Sequence, residues 1–274
     1  MSTDLFRWTP GSNAVIVNVP HAGTFLPAAI AATLTAEGLA VPDTDWHVDR
    51  LYEGAADAGC AMLVATHSRI VADLNRDPQG ATLYPGSSNT EICPTTTFFD
   101  APVYRHPLPA AEVRARVESY WIPYHRKLAA EIAATKARHG FCVLLDAHSI
   151  ASEVPRFFTG RLPDLNLGTA DGASIAPALQ SRLLEVLNGA TGFTAVCNGR
   201  FKGGYITRHY GNPGAGVDAV QLEIGQACYM ASPPSGGGMP CYDENRGVAL
   251  HNVLARVVEV LVRWNPQQSA QNGK

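Results

Sequence analysis

Short apolar runs alternate with longer amphipathic segments along the chain. The short runs are rich in aliphatic and β-branched residues, which predicts buried strands over 14–19, 60–65, 70–74, 141–145, 193–196 and 219–224. The longer segments predict helices over 26–39, 49–58, 109–138, 174–187 and 247–264. Two stretches lack this periodicity and are rich in glycine or proline, so loops are predicted over 77–107 and 199–216. Residues 265–274 are polar and predict a frayed end.

This alternation of strands and helices predicts an α/β fold. Its sheet is mixed and mostly parallel, with helices on both faces. The most regular helix carries apolar residues at intervals of three or four positions, from Val113 to Ile132, and Gly140 is placed to end it. No composition shift or repeat marks a seam, so one domain over residues 1–274 is expected.

Composition excludes several classes of function. The formal net charge of −3 provides no field that would attract nucleic acid or an anionic membrane. The six cysteines form no C-x-x-C pair, and no window has the ~20 apolar residues of a membrane span. The first residues lack the pattern of a secretory signal, so a cytoplasmic protein with reduced thiols is expected. Nothing in the sequence indicates an oligomeric state.

Polar side chains cluster at the ends of predicted strands, where α/β folds place their sites. The clusters are His21, the run 73–76, the run 146–149, Glu223 and, before a helix, the run 45–49. Two histidines and a carboxylate at converging strand ends suit a catalytic zinc with one position left for water. A single histidine at a strand end is more often a hydrogen-bonded structural residue than a metal ligand. Asp146 either orients an imidazole or caps a turn.

Glu223 lies in an otherwise apolar strand, where burial raises the pKa of a carboxyl group into the range of a general base. The alternative is a half-exposed glutamate on an edge strand. The loop at 199–216 carries Arg200, Lys202 and Arg208 among glycines, which suits a carboxylate ligand or, alternatively, a solvated surface. No phosphate-binding glycine motif and no G-x-S-x-G elbow occurs.

Taken together, these segments resemble the N-formylglutamate amidohydrolase (deformylase) family of histidine degradation. The resemblance rests on VNVPHAGTFLP (17–27), DTDWHVDRLY (43–52), SRIVADLNRDP (68–78), LLDAHSI (144–150), LPDLNLGT (162–169), NGRFKGGYITRHYG (198–211) and AVQLEI (219–224). It implies a fold similar to that of zinc carboxypeptidases and aspartoacylase-type deacylases, a phosphorylase/hydrolase-like fold. The implied activity is zinc-dependent hydrolysis of N-formyl-L-glutamate to formate and L-glutamate, the last step of a histidine degradation pathway.

By the same resemblance, His21, His148 and Glu223 correspond to two metal ligands and the catalytic base. The His-x-x-Glu of those relatives is absent, because Thr24 stands three residues after His21. The acidic ligand is then expected elsewhere in the chain, and the resemblance implies Asp49, because an aspartate that opens the next helix recurs in related amidohydrolases. Asp45 and His47 are its rivals. Zinc is the expected metal, although two histidines and a carboxylate also hold iron, manganese or cobalt.

The deacylases grip the substrate carboxylate with an Asn-Arg pair, which Asn75 and Arg76 match. Arg208 is a second candidate on chemical grounds alone. The expected partner is a small anionic molecule. Two alternatives remain: a zinc deacylase for an N-acetyl, N-succinyl or other acylated amino acid, and a binder of anionic small molecules that has lost catalysis.

Overall fold

The computed structural model describes residues 4–83, 86, 88–231 and 241–267. Seven strands form the central sheet: β1 (Phe6–Thr9), β2 (Val15–Val19), β3 (Ala61–Ala65), β4 (Cys142–Ile150), β5 (Leu165–Gly168), β6 (Ala195–Cys197) and β7 (Val217–Gly225). Their order across the sheet is β1-β3-β2-β4-β7-β5-β6. A small antiparallel pair, β8 (Met230–Ala231) with β9 (Cys241–Tyr242), lies apart from it.

The helices are α1 (Ala28–Ala31), α2 (Ala36–Leu39), α3 (Val48–Leu51), α4 (Glu53–Asp57), α5 (Ala110–Arg116), α6 (Ile122–His139), α7 (Pro177–Asn188), α8 (Tyr205–Tyr210) and α9 (Glu244–Val262). A π-helical turn over Val117–Trp121 joins α5 to α6. Gly140 follows α6 in the left-handed conformation that glycine adopts without strain, with φ of 85°. No helix in the described ranges is both long and apolar enough to cross a membrane.

The predicted mixed and mostly parallel sheet is confirmed. Strands β3, β2, β4 and β7 are parallel neighbours, whereas β1 and β5 pair antiparallel to β3 and β7. Alternate residues of β2 enter different cores: Val15 and Val17 pack in the cluster that holds α7 and α9, and Ile16 packs with Leu128 of α6. Helices therefore cover both faces.

Three predicted elements differ in the structure. Residues 26–39 form two short helices, because Thr35 caps α2 and its backbone N–H bonds to Val103 of a distant loop. Residues 49–58 likewise divide into α3 and α4. The strand predicted over 70–74 is wrong: this buried segment is a series of turns, in which Val71 N–H donates to the Ser68 carbonyl and the Asp73 side chain accepts from Asn75 N–H. Local side-chain bonds of this kind compete with strand pairing.

Two further differences concern the site. The loop predicted over 199–216 contains helix α8, and β4 continues beyond residue 145, so the polar run 146–149 lies inside a strand. The antiparallel strands β1 and β5 were not predicted. The irregular character of the described part of 77–107 is confirmed, although residues 84, 85 and 87 lie outside the described ranges. Most of the predicted frayed end, residues 268–274, lies outside them as well.

The strand order creates one reversal point beside β2. The chain leaves β2 for β3 on one side, and β4 then pairs with the other side of β2. In open α/β sheets, ligands bind beyond the carboxyl ends of the strands at such a point. A site is therefore expected at the carboxyl ends of β2 and β4.

Candidate active site

The carboxyl ends of β2, β4 and β7 bring three of the predicted residues together. His21 follows β2, and His148 of β4 pairs in register with Glu223 of β7. Asp45 reaches the same point from the loop before α3, where its backbone N–H donates to the His21 carbonyl at 3.0 Å. All four side chains are buried.

His21, Asp45 and His148 form a compact set of metal donors. One ligand atom from each lies within 4.8 Å of the others. Asp45 Oδ2 is 2.9 Å from His148 Nδ1 and 3.8 Å from His21 Nδ1. Two imidazole nitrogens and a carboxylate are the usual protein ligands of a catalytic zinc.

A carboxylate on the far side of each imidazole ring holds the ring in place. His21 Nε2 is 2.8 Å from Asp73 Oδ1, and His148 Nε2 is 3.0 Å from Asp146 Oδ2. Each ring thus presents Nε2 to an orienting carboxylate and Nδ1 to Asp45, which is the way carboxylates orient metal-binding histidines. Asp146 therefore lies where it can orient the His148 ring, which is one of the two roles considered for it from the sequence.

The electrostatics of this cluster favour a cation. Three buried carboxylates surround the two rings, and Arg69 is the guanidinium next to them, 2.6 Å from Asp73. Burial disfavours charge on Asp45, but the two histidines and Arg69 outweigh burial and lower its pKa. Within the described ranges, His21 Nδ1 and Asp45 Oδ1 are buried without a hydrogen-bond partner. A metal ion would satisfy both atoms, so the residues present fit such an ion.

The structure places Asp45, and not the predicted third ligand Asp49, beside the two histidines. The Asp49 side chain is 34% exposed, and its carboxylate binds Arg7 of β1 at 2.5 Å. Residues 45–49 enter α3 through His47, which adopts a left-handed conformation with φ of 60°. The ring of His47 packs against Tyr242, and neither His47 nor Asp49 belongs to the donor set.

Glu223 occupies the position expected of a general base. It lines the same cavity as the donor set, and burial raises its pKa to about 7. Its Oε2 accepts a hydrogen bond of 3.1 Å from the Gln221 amide, whose own oxygen accepts from the Gly204 N–H at 2.8 Å. Because both ends of the amide are engaged, Gln221 fixes the orientation of the carboxylate.

The predicted Asn75-Arg76 pair lies at this site, but the Asn75 side chain is directed to the protein. Its amide nitrogen is 3.2 Å from Asp146 Oδ2 and 2.9 Å from His148 Nε2, and its oxygen accepts from Ile206 N–H. Asn75 therefore supports His148. Arg76 lines the cavity, with its guanidinium held by the carbonyl and hydroxyl oxygens of Thr90.

Arg208 lies outside the cavity that holds Glu223. It is exposed on α8 and lines a neighbouring depression with Arg76 and Tyr205. The structure instead brings Arg69 and Arg200 into the cavity beside Arg76.

Sequence reasoning gave no role to three residues that the site contains. Asp73 and Arg69 both lie in the segment 68–78. Because residues 70–74 were predicted as a strand, the turns that bring these two side chains to the histidines were not expected. Gln221 precedes Glu223 by two residues, and in a strand this spacing puts both side chains on one face. The two-residue period of the strand could therefore have predicted that Gln221 lies beside Glu223.

Comparison with known proteins agrees with this geometry. The family model of N-formylglutamate amidohydrolase matches residues 13–230. A protein of Pseudomonas aeruginosa named N-formylglutamate deformylase is 44% identical over 269 residues, which cover 97% of this chain and 99% of that protein. A Pseudomonas putida protein of the same name is 41% identical over 260 residues, covering 94% and 96%.

Among solved structures, the crystal structure of N-formylglutamate amidohydrolase from Ralstonia eutropha JMP134 is similar, with a TM-score of 0.79. It is 25% identical in sequence, and the superposition covers 99% of this chain and 100% of that one. The family match spans most of the chain and includes every residue of the donor set and Glu223. The chain belongs to the N-formylglutamate amidohydrolase family.

Proposed function

We propose that this protein is a metal-dependent amidohydrolase that converts N-formyl-L-glutamate and water to L-glutamate and formate. The observation that carries the proposal is the meeting of His21, Asp45 and His148 with Glu223 in one buried cavity. The names of the similar proteins supply the acyl group and the amino acid. This reaction would be the last step of a histidine degradation pathway.

The proposed ligands are His21 Nδ1, His148 Nδ1 and the Asp45 carboxylate. A divalent metal held by them would supply the Lewis acidity that polarises the acyl oxygen and acidifies water. Zinc is the proposed metal because two imidazole nitrogens and a carboxylate are the usual ligands of a catalytic zinc, whereas magnesium and calcium prefer oxygen ligands. Asp73 and Asp146 hold the two rings with Nδ1 on the side of Asp45.

Glu223 is proposed to accept the proton of the attacking water and to return it to the leaving nitrogen. A pKa of about 7 suits both transfers, since the group is then neither fully protonated nor strongly acidic near neutral pH. Gln221 holds Oε2, which leaves Oε1 for the proton. Attack makes the acyl oxygen negative, and Arg69, fixed beside the donor set by Asp73, provides positive charge there.

Arg76 is proposed to hold a carboxylate of the substrate near the reacting amide. Its guanidinium is oriented by Thr90, so little side-chain freedom is lost on binding. We also propose that the fold is that of zinc carboxypeptidases and aspartoacylase-type deacylases. The four parallel central strands, with histidines at the ends of two of them, support this relation.

Formate release from N-formyl-L-glutamate by the purified protein tests the proposal. The assay is run on protein as purified, after chelation with loss of metal measured, and after zinc is restored. N-acetyl- and N-succinyl-L-glutamate serve as matched substrates. We expect formate release that chelation abolishes and zinc restores, with the formyl substrate preferred.

No formate from metal-loaded protein would refute the deformylase assignment, and turnover of an acetyl or succinyl substrate would then identify a related deacylase. Unchanged turnover in protein shown to have lost its metal would refute the metal-dependent mechanism. Restoration by iron, manganese or cobalt but not by zinc would correct the metal alone.

A further inference from the structure

We propose that Arg200 binds the side-chain carboxylate of the substrate and so selects a glutamate over a neutral amino acid. This inference rests on the proposed function. It replaces Arg208, which the sequence favoured, by another arginine of the same basic segment, because Arg200 lines the cavity of Glu223 and Arg208 does not.

The protein holds the Arg200 guanidinium in a fixed orientation. Arg200 Nε donates to the Phe157 carbonyl at 2.8 Å, and Nη2 donates to the Ser88 carbonyl at 3.2 Å. The acceptors of these two bonds are backbone carbonyl oxygens, which orient the guanidinium within the cavity wall. A pre-oriented guanidinium loses little conformational entropy when a carboxylate binds to it.

Two aromatic rings flank the same guanidinium. Arg200 Cζ lies 5.6 Å from the centroid of the Phe157 ring and 5.3 Å from that of Phe201. Ring faces stabilise a cation and displace water from its neighbourhood. An ion pair formed beside them is stronger than one formed in open solvent.

The position of Arg200 within the cavity matches the more distant carboxylate of the substrate. Arg69 contacts Asp73 and lies 3.7 Å from Asp45, so it belongs to the reacting end. Arg200 instead contacts Ser88 and Phe157, which line the cavity but do not belong to the donor set. In N-formylglutamate, the α-carboxylate is attached to the carbon that bears the scissile nitrogen, whereas the other carboxylate ends the side chain. The side-chain carboxylate is therefore the one that reaches Arg200.

Kinetics on a pair of isosteric substrates test this assignment. N-formyl-L-glutamine has the shape of N-formyl-L-glutamate but lacks the side-chain charge. We expect Arg200→Met to lower kcat/KM for the glutamate substrate by about 30-fold or more, mainly through KM. The same variant should change kcat/KM for the glutamine substrate by less than about 3-fold. Where turnover of the glutamine compound is below detection, its inhibition constant against the glutamate substrate is measured instead.

Lys202→Met is the matched control, because it removes one positive charge from the same segment. The Lys202 ammonium pairs with Asp171 at 3.1 Å and does not line the cavity. We expect this variant to keep the wild-type ratio between the two substrates. If Arg200→Met does not fold, Arg200→Lys is used, and its loss is again expected on the glutamate substrate alone.

An equal loss on both substrates would show that Arg200 only supports the cavity wall, and no loss on either would also overturn the assignment. A matching change of the ratio in Lys202→Met would reduce the effect to overall charge. These outcomes all presuppose an active wild-type enzyme. Wild-type protein that releases no formate refutes the proposed function itself, so the two failures are distinguishable.

Discussion

At the scale of single residues, one carboxylate joins the two histidines of the site. Asp45 Oδ2 contacts His148 Nδ1 and accepts a 3.1 Å bond from the Ser149 N–H, while the Asp45 backbone binds the His21 carbonyl. Asp49 is one turn further along the chain and faces Arg7 on the surface. The two aspartates therefore lie in different surroundings despite their proximity in sequence.

Asp45→Asn is expected to lose most of its bound metal, because an amide is a weaker ligand than a carboxylate. Asp49→Asn should retain it, since only a surface ion pair is lost, a change worth ~1 kcal/mol or less. Metal content after dialysis against a weak chelator, measured by atomic emission, compares the variants. Metal retained by Asp45→Asn and lost by Asp49→Asn would restore the original assignment.

Glu223→Gln keeps the size of the side chain but removes its ability to take a proton. We expect kcat to fall at least ~10²-fold with metal content unchanged, since general bases typically contribute this much. The measurement is steady-state formate release by protein whose metal content matches wild type. Turnover close to that of wild type would exclude Glu223 as the base.

At the scale of elements, helix α8 depends on a residue far away in sequence. The N–H of Ile206, in its first turn, donates to the Asn75 side chain at 2.8 Å, and Asn75 stands 131 positions before Ile206 in the sequence. No side chain next to α8 in the sequence caps its first turn, and residues 199–216 were therefore predicted as a loop. Asn75 also donates to Asp146, and Asp146 contacts His148. Asn75 therefore connects α8 to the carboxylate that orients His148.

Gly204→Ala tests this coupling. A Cβ at residue 204 would lie 2.3 Å from the Asn75 amide nitrogen, too close for any contact. We expect the variant to be destabilised by about 1–3 kcal/mol, as overpacked sites are, and to bind metal more weakly because Asn75 is displaced from His148.

Gly54→Ala is the control for that variant. An added Cβ at this helical position of α4 has no neighbour within 4 Å, so stability should be unchanged or slightly higher. Urea denaturation and metal titration of both proteins give the comparison. Wild-type metal affinity in Gly204→Ala would show that α8 and the histidines are not coupled.

At the scale of the whole molecule, a buried histidine links stability to pH. His125 of α6 packs against the segment that carries Asn75 and Arg76. Its Nε2 donates to the Leu74 carbonyl at 2.8 Å, and its ring stacks on Trp121. Burial lowers the pKa of His125 to about 4. Its ring therefore stays neutral in the folded protein at pH values where the unfolded chain binds a proton.

The sign of this linkage follows from the two pKa values. Between the unfolded value of about 6.5 and the folded value of about 4, unfolding takes up a proton at this residue, so stability falls as the pH falls through that window. Below about 4, the contribution is constant. His125→Gln should lower this dependence by up to about 1.4 kcal/mol per pH unit.

Urea denaturation of wild type and His125→Gln, at several pH values from 7 to 5 and in the same metal concentration, measures the difference in slope. Other titrating groups are common to both proteins and cancel. Parallel curves for the two proteins would show that His125 does not remain neutral on folding.

The sequence by itself determined the layers of the fold and most of the chemistry at the site. The mostly apolar runs at β2, β3, β4 and β7 have the length and composition of buried strands. In α6 and α9, apolar residues recur every three or four positions, as in an amphipathic helix. Because parallel strands share one carboxyl edge, His21, His148 and Glu223 were predictable as neighbours.

Only the tertiary structure decided which other side chains meet at that edge. Asp45 and Asp49 are equivalent in a linear reading, and the left-handed turn at His47 separates them. Arg200 and Arg208 likewise share one basic segment, and the folding of α8 leaves Arg200 in the cavity and Arg208 outside it. The physical reason is the same in both cases. Strands impose their side-chain positions through a local period, whereas loops and short helices take theirs from contacts with distant residues such as Asn75.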